Sequence, residues 1–305
     1  MKFFKFVLIT TLLSVTFVSA AHAQRGKLLK MLIKKRRETK RIEAIAIAQG
    51  VTSQLDVPYV DDNDASHKLD IYFPPKKEKP LPVLVHLHGG GWKFGDKKKM
   101  KTTGLYYASK GILFITPNYG LSPNVMHPAH VKDCAAAVAW TFNHVKELGG
   151  DKNRIFLSGH SAGAHLAALL ATNTKYLGKY KLEPTDLAGV IPVDTASYNL
   201  VSNNNEKLVK KFVGEAFGSD PKVLKDASPF YNVSTKAKYP DFLILNTTNR
   251  KTAVEGAVEF VNKLKSTGCD VTFVKVPDHT HAGMAQGMYN DSDPVSKAIL
   301  KFILH

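Results

Sequence analysis

Two glycine-rich motifs hold the residues best suited to chemistry. In the first, Gly159-His160-Ser161-Ala162-Gly163, a serine stands between two glycines. An apolar strand pattern over residues 155–157 runs into it, and a small-residue helix pattern over 164–172 runs out of it. A serine on so sharp a strand-to-helix turn is lifted clear of the sheet edge, where a Cβ on either flanking glycine would clash. The helix that follows aims its free N–H groups at the same place. In the second motif, His88-Gly89-Gly90-Gly91-Trp92 follows the apolar run at 83–87. Three successive glycines let the backbone approach a ligand and direct N–H donors at it, as acyl transfer requires where a carbonyl oxygen becomes an oxyanion. Ser161 is the expected nucleophile, and the N–H groups of Gly90, Gly91 and Ala162 are the expected oxyanion donors.

Both motifs stand at strand ends, so the surrounding elements decide what they reach. Residues 55–60 and 68–73 read as two strands joined by the polar turn Asp61-Asp62-Asn63-Asp64. The continuous apolar runs at 83–87 and 112–116 suit central strands covered on both faces. Helical spacing marks 101–110 and 130–148. Further on, 190–193, 242–245 and 271–276 read as strands, and 254–266 and 295–304 as helices. Residues 198–235 are polar, irregular and partly helical, and could cap a pocket. Such alternation predicts an α/β class: one domain over 51–305 with a mostly parallel sheet and helices on both faces.

Upstream, Lys2 and Lys5, the apolar run 6–18 and Ala21-His22-Ala23 read as a secretory signal peptide over 1–23, cleaved before Gln24. Export to the periplasm or the medium is therefore expected. Residues 24–50 form a basic helical leader, in which nine Lys and Arg between 25 and 41 face only Glu38. Leu28, Leu29, Leu32, Ile33 and Ile42 give it an apolar stripe that could rest weakly on an anionic membrane surface. This leader supplies much of the formal net charge of +16 carried by the 305 residues. With 44% apolar and 22% charged residues, the composition excludes a disordered chain, collagen-like repeats and a disulfide scaffold. No nucleic-acid-reading motif accompanies the basic charge, so no nucleic-acid partner is expected. Cys134 and Cys269 read as free thiols rather than a bridge.

The segments His86–Trp92, Gly95-Asp96, Asn118-Tyr119, Asp133-Cys134, Gly149-Gly150-Asp151 and Gly159–His165 together resemble the α/β-hydrolase fold. More closely, they are similar to the HGGGW-bearing carboxylesterases grouped with hormone-sensitive-lipase-like and feruloyl or acetyl-xylan esterases. The resemblance spans residues 55–305. It implies a serine hydrolase of small carboxylic esters, with neither metal nor cofactor. Gly120 stands where such relatives usually carry an arginine after Asn-Tyr.

A serine hydroxyl is a poor nucleophile until an imidazole takes its proton. In this fold the chain order is Ser, acid, His, with the histidine beyond the last strand. His279 and His281 both stand there; the continuation Gly283-Met284 and the C-terminal helix match the family better with His281, and His279 is the alternative. The other histidines, His88 included, read as surface or structural groups. The family usually places its acid just after the strand at 242–245, yet the chain reads Asn246-Thr247-Thr248-Asn249-Arg250 there, and Glu255 falls within the next helix. Asp194 ends the preceding strand on the same edge as Ser161, where some lipases of this fold carry their acid. Asp194 is thus the expected acid, with another carboxylate or no acid as alternatives. Arg250 would disfavour an imidazolium if it lay beside His281, or could bind an acidic group of the substrate. Three functional readings remain: an exported carboxylic-ester hydrolase, an amidase or arylformamidase using the same groups, and a non-catalytic binding protein on a hydrolase scaffold.

Overall fold

A computed structural model describes residues 29–30, 32–75, 79–202 and 207–305, with the backbone only at 207 and 208. The expected signal peptide at 1–23 and leader residues 24–28 lie outside the described residues. Five strands form the middle of the sheet. They are β3 (Leu81–Leu87), β4 (Leu113–Pro117), β5 (Gly150–His160), β6 (Gly189–Val193) and β7 (Phe242–Thr247), all in parallel pairing. The last strand, β8 (Val271–Val276), extends the parallel array, while β1 (Thr52–Pro58) and β2 (Lys68–Phe73) add an antiparallel edge. The order across the sheet is β1-β2-β4-β3-β5-β6-β7-β8.

Side chains alternate between the two faces of each strand, and each face is covered by helices. On one face Phe114 stacks on Tyr107 of α2 (Lys101–Ser109), and Phe156 meets Phe302 of α11 (Pro294–Leu304). On the other, Val83, Val85, Ile115 and Leu157 share a core with Val131 and Val138 of α3 (Ala129–His144), Leu166 and Leu170 of α4 (Ala162–Thr172), and Phe260 of α9 (Lys251–Lys265). All eleven residues of α4 are buried, as befits a helix without a polar face.

The element order agrees with the sequence expectation, and the differences lie at the ends. The helix expected to reach residue 148 stops at His144, because the chain must turn at Gly149 (φ 80°) to enter β5. The polar region at 198–235 resolves into α6 (Lys207–Phe217), α7 (Pro221–Asp226) and α8 (Pro229–Asn232). The last two open with proline at the first helical turn, where its missing N–H costs nothing. Two short helices, α5 (Thr174–Gly178) and α10 (His281–Gly287), follow α4 and β8.

Tertiary contacts divide the chain into units Met1–Ile45 and Ala46–His305. Residues 32–49 are one helix, α1, so the second unit begins inside its last turns, ahead of the expected boundary at 51. Within the first unit Arg41 pairs with Glu38 at 2.7 Å, and Leu29, Leu32 and Ile33 are exposed. Among the described residues no helix is long and apolar enough to cross a membrane. Cys134 and Cys269 are free.

Candidate active site

Strands β3, β5 and β6 end level with one another: Leu87 pairs with Gly159, and His160 with Val193. The three loops that follow therefore leave the same edge. After β5 comes Ser161, at φ 57° and ψ −116°. A non-glycine residue rarely adopts this region, and holding one there costs roughly 1–3 kcal/mol. The turn is tight enough to need both flanking glycines. A Cβ on Gly159 would lie 2.3 Å from the Gly163 carbonyl carbon, and one on Gly163 would lie 2.0 Å from the Leu87 oxygen.

The loop after β3 lies against this turn. A Cβ on Gly89 would stand 2.8 Å from the His160 oxygen and 3.3 Å from Ser161 Cβ. Gly90 has φ 131°, and its carbonyl accepts from the N–H groups of Lys93 and Phe94, which closes the loop on itself. Trp92 Nε1 donates to His165 Nδ1 at 3.3 Å, tying the loop to α4. His88 is a brace: Tyr119 Oη donates to its carbonyl at 2.7 Å, and the two rings stack at 4.3 Å. Its Nδ1 donates to the Gly89 carbonyl, and burial lowers its pKa to about 4, so the ring is neutral. From α6, the Phe212 ring covers Gly91, within 2.9 Å of where a Cβ would be.

After β8, Thr280 caps α10 by accepting from Gly283 N–H, and this fixes His281 at the first helical position. His281 Nε2 lies 2.9 Å from Ser161 Oγ, and its Nδ1 lies 2.6 Å from Asp194 Oδ2. Asp194 follows β6, with φ 51° and a side chain shut off from solvent. Burial would raise its pKa, but the His281 hydrogen bond and the Arg250 charge outweigh that and hold it below the usual carboxylate value. The end of β7, where no carboxylate stands, supplies donors instead. Thr247 N–H and Asn246 Nδ2 point at Asp194 Oδ1 from 3.2 and 3.3 Å. Thr247 Oγ1 and Asn249 Nδ2 hold the His279 carbonyl and so anchor the histidine loop.

His279 lies elsewhere: its Nε2 meets Asp293 Oδ2 at 2.9 Å and its Nδ1 the Pro277 carbonyl at 2.9 Å. Glu255 lies within α9, as expected. Two participants, His160 and Phe212, carry no signal in the sequence reading. His160 packs its ring 4.5 Å from that of His281 and donates from Nε2 to the His281 carbonyl at 3.0 Å. Desolvation, then the His281 neighbour, lower its pKa to about 3. Phe212 carried no signal, since its place depends on how α6 folds back. Arg250, for which the sequence leaves two directions open, lies beside His281: its Nη1 is 2.9 Å from His281 Nδ1 and 3.1 Å from Asp194 Oδ2. Among the described residues, His160, Asp194 and His281 form the one cluster of metal-ligand type, and the Arg250 cation already lies against it. At Gly120 there is little room for a side chain, since a Cβ would sit 2.9 Å from Val125 Cγ2.

Residues 69–264 match the BD-FAE family model. The chain is 29% identical over 218 residues to esterase LipC of Mycobacterium tuberculosis, covering 67% of this chain and 53% of LipC. It thus spans about half the length of that relative. It is 25% identical over 266 residues to kynurenine formamidase of Danio rerio, covering 84% of each chain. Esterase B of Lactobacillus Rhamnosis shares the α/β-hydrolase fold, with a TM-score of 0.71 at 19% identity over 90% of this chain and 93% of that one.

Proposed function

The chain belongs to the BD-FAE family, and on that premise we propose that it is a serine hydrolase of carboxylic esters working through an acyl-enzyme on Ser161. One observation carries the reading: an unbroken line from Ser161 Oγ to His281 Nε2 (2.9 Å) and from His281 Nδ1 to Asp194 Oδ2 (2.6 Å). With Nδ1–H donated to the ionised Asp194, Nε2 keeps its lone pair for the serine proton. Ser161 Oγ then attacks the ester carbonyl, and the N–H groups of Gly90, Gly91 and Ala162 hold the oxyanion. His281 returns the proton to the departing alcohol. Water deprotonated by the same imidazole then releases the acid and frees Ser161.

The test is hydrolysis of p-nitrophenyl acetate together with labelling by a fluorophosphonate probe. Ser161→Ala should abolish both, with turnover down by roughly 10⁶, and Asp194→Ala should cost roughly 10⁴. Wild-type protein that neither turns over the ester nor takes the label refutes the reading, and favours a non-catalytic protein on this scaffold. The match to a formamidase over most of both chains supports a second reading, an amide hydrolase using the same groups. Faster turnover of formanilide than of phenyl acetate would favour it.

Residues 1–23 are read as an export signal, from their basic start, apolar run and Ala21-His22-Ala23 site. The mature protein should then begin at Gln24 by N-terminal sequencing; a chain retaining Met1 rules this out. Leu29, Leu32 and Ile33, exposed among the basic residues of the leader, support a weak contact with anionic membrane surfaces.

A further inference from the structure

We propose that Arg250 is a positioning residue of the site, holding Asp194 in place while competing with it for Nδ1 of His281. The inference rests on the hydrolase reading of Ser161. A single guanidinium nitrogen, Nη1, lies 3.1 Å from Asp194 Oδ2, 3.3 Å from the Asp194 carbonyl oxygen and 2.9 Å from His281 Nδ1. The carboxylate stands 2.6 Å from that same ring nitrogen. These contacts cannot all be hydrogen bonds at once. Nδ1 either carries a proton and donates it to Asp194, or is bare and accepts from Arg250. In the first state Nε2 is bare and can take the proton of Ser161 Oγ. In the second the ring proton sits on Nε2, points at Ser161 Oγ and blocks the base.

Asp194 wins this competition, because a bare Nδ1 would set its lone pair against a carboxylate oxygen 2.6 Å away. Arg250 then gives its N–H to Asp194 Oδ2. Both side chains are sheltered, 13% and 0% exposed, so water screens this pair little. Arg250 thus draws on the same carboxylate oxygen that receives the Nδ1 proton. The other titratable groups around the site do not enter this competition. His160, whose ring packs at a tilt against that of His281, is neutral, and His279 in the same loop is turned to Asp293. The Tyr198 phenol, close enough to feel Asp194, is kept protonated first by burial and then by that charge.

One result follows that a purely structural arginine would not produce. In the absence of Asp194, Arg250 locks His281 in the unreactive tautomer. The experiment measures kcat/KM for p-nitrophenyl acetate in the single and double variants. The double variant Asp194→Ala/Arg250→Met should be at least about tenfold more active than Asp194→Ala alone. A double variant no more active than the single overturns the proposal. Should Arg250→Met fail to fold, the tautomer of His281 in wild-type protein, read from imidazole ¹⁵N shifts, decides instead. Protonated Nδ1 is expected, and a bare Nδ1 overturns the proposal. Wild-type protein inert toward the ester at every pH would sink the hydrolase reading, whereas the tautomer measurement would still judge this one.

Discussion

His279 and His281 are two residues apart, yet their neighbours give them different tasks. His281 faces Ser161 and Asp194, whereas both ring nitrogens of His279 face acceptors, the Asp293 carboxylate and the Pro277 carbonyl. An imidazole with two acceptors is held best when doubly protonated. Partial burial opposes this, but Asp293 and Pro277 outweigh it and raise the His279 pKa above its ordinary 6.5. A folded-state value above the unfolded one stabilises the protein fully below about pH 6.5, and that contribution fades as pH rises through the folded value. His279→Gln should therefore lose about 0.5–1 kcal/mol in urea unfolding at pH 5.5 and much less at pH 9, with ester turnover largely retained. An equal loss at both pH values would mean that the contact acts through packing rather than charge.

At the scale of elements, what holds the serine is the near-contact of α4 with the end of β3. The space between Gly163 and the Leu87 oxygen would not admit even a methyl group, since a Cβ would lie 2.0 Å from it. Backbone cannot swing aside as a side chain can, so one of the two elements must move. Gly163→Ala should cost about 1–3 kcal/mol, at the upper end or beyond, and displace Ser161 from the imidazole. Thermal unfolding and fluorophosphonate labelling would both report it, and normal labelling would show that the elbow can relax. The cap element α6 presses on the same loop through Phe212 over Gly91, and Lys93 reaches Glu215 at 2.9 Å. That ion pair is about 30% exposed on each side and should contribute at most about 1 kcal/mol.

Across the whole molecule, the antiparallel edge is fastened by a buried cation. Lys97 is 1% exposed and places Nζ 2.5 Å from both Asp70 Oδ1 and Asp56 Oδ1. Burial alone would lower its pKa, but the two carboxylates raise it, so it remains charged. Lys97→Met would leave the Asp70 carboxylate buried and without its cation, at about 3–5 kcal/mol. Asp56 is 55% exposed, and Asp56→Asn should cost about 1 kcal/mol or less. Chemical unfolding of both variants separates the two cases; equal losses would show that the buried charge of Asp70 is relieved in some other way.

The order of strands and helices, the parallel core and the two glycine motifs were legible in the chain. Apolar runs, helical spacing and glycine placement are local properties that residues reveal without their partners. So was Ser161, because its turn is specified by its immediate neighbours. Which carboxylate and which histidine face one another beside Ser161 depended on strands far apart in sequence. Asp194 and Thr247 are 53 positions apart, Asp194 and His281 are 87 apart, and Arg250 reaches both. A turn without a carboxylate reads as a missing acid until β6 and β7 lie side by side. Only then does Asn246-Thr247 become the set of donors that holds Asp194, since a hydrogen bond between strand ends exists only where the sheet brings them together.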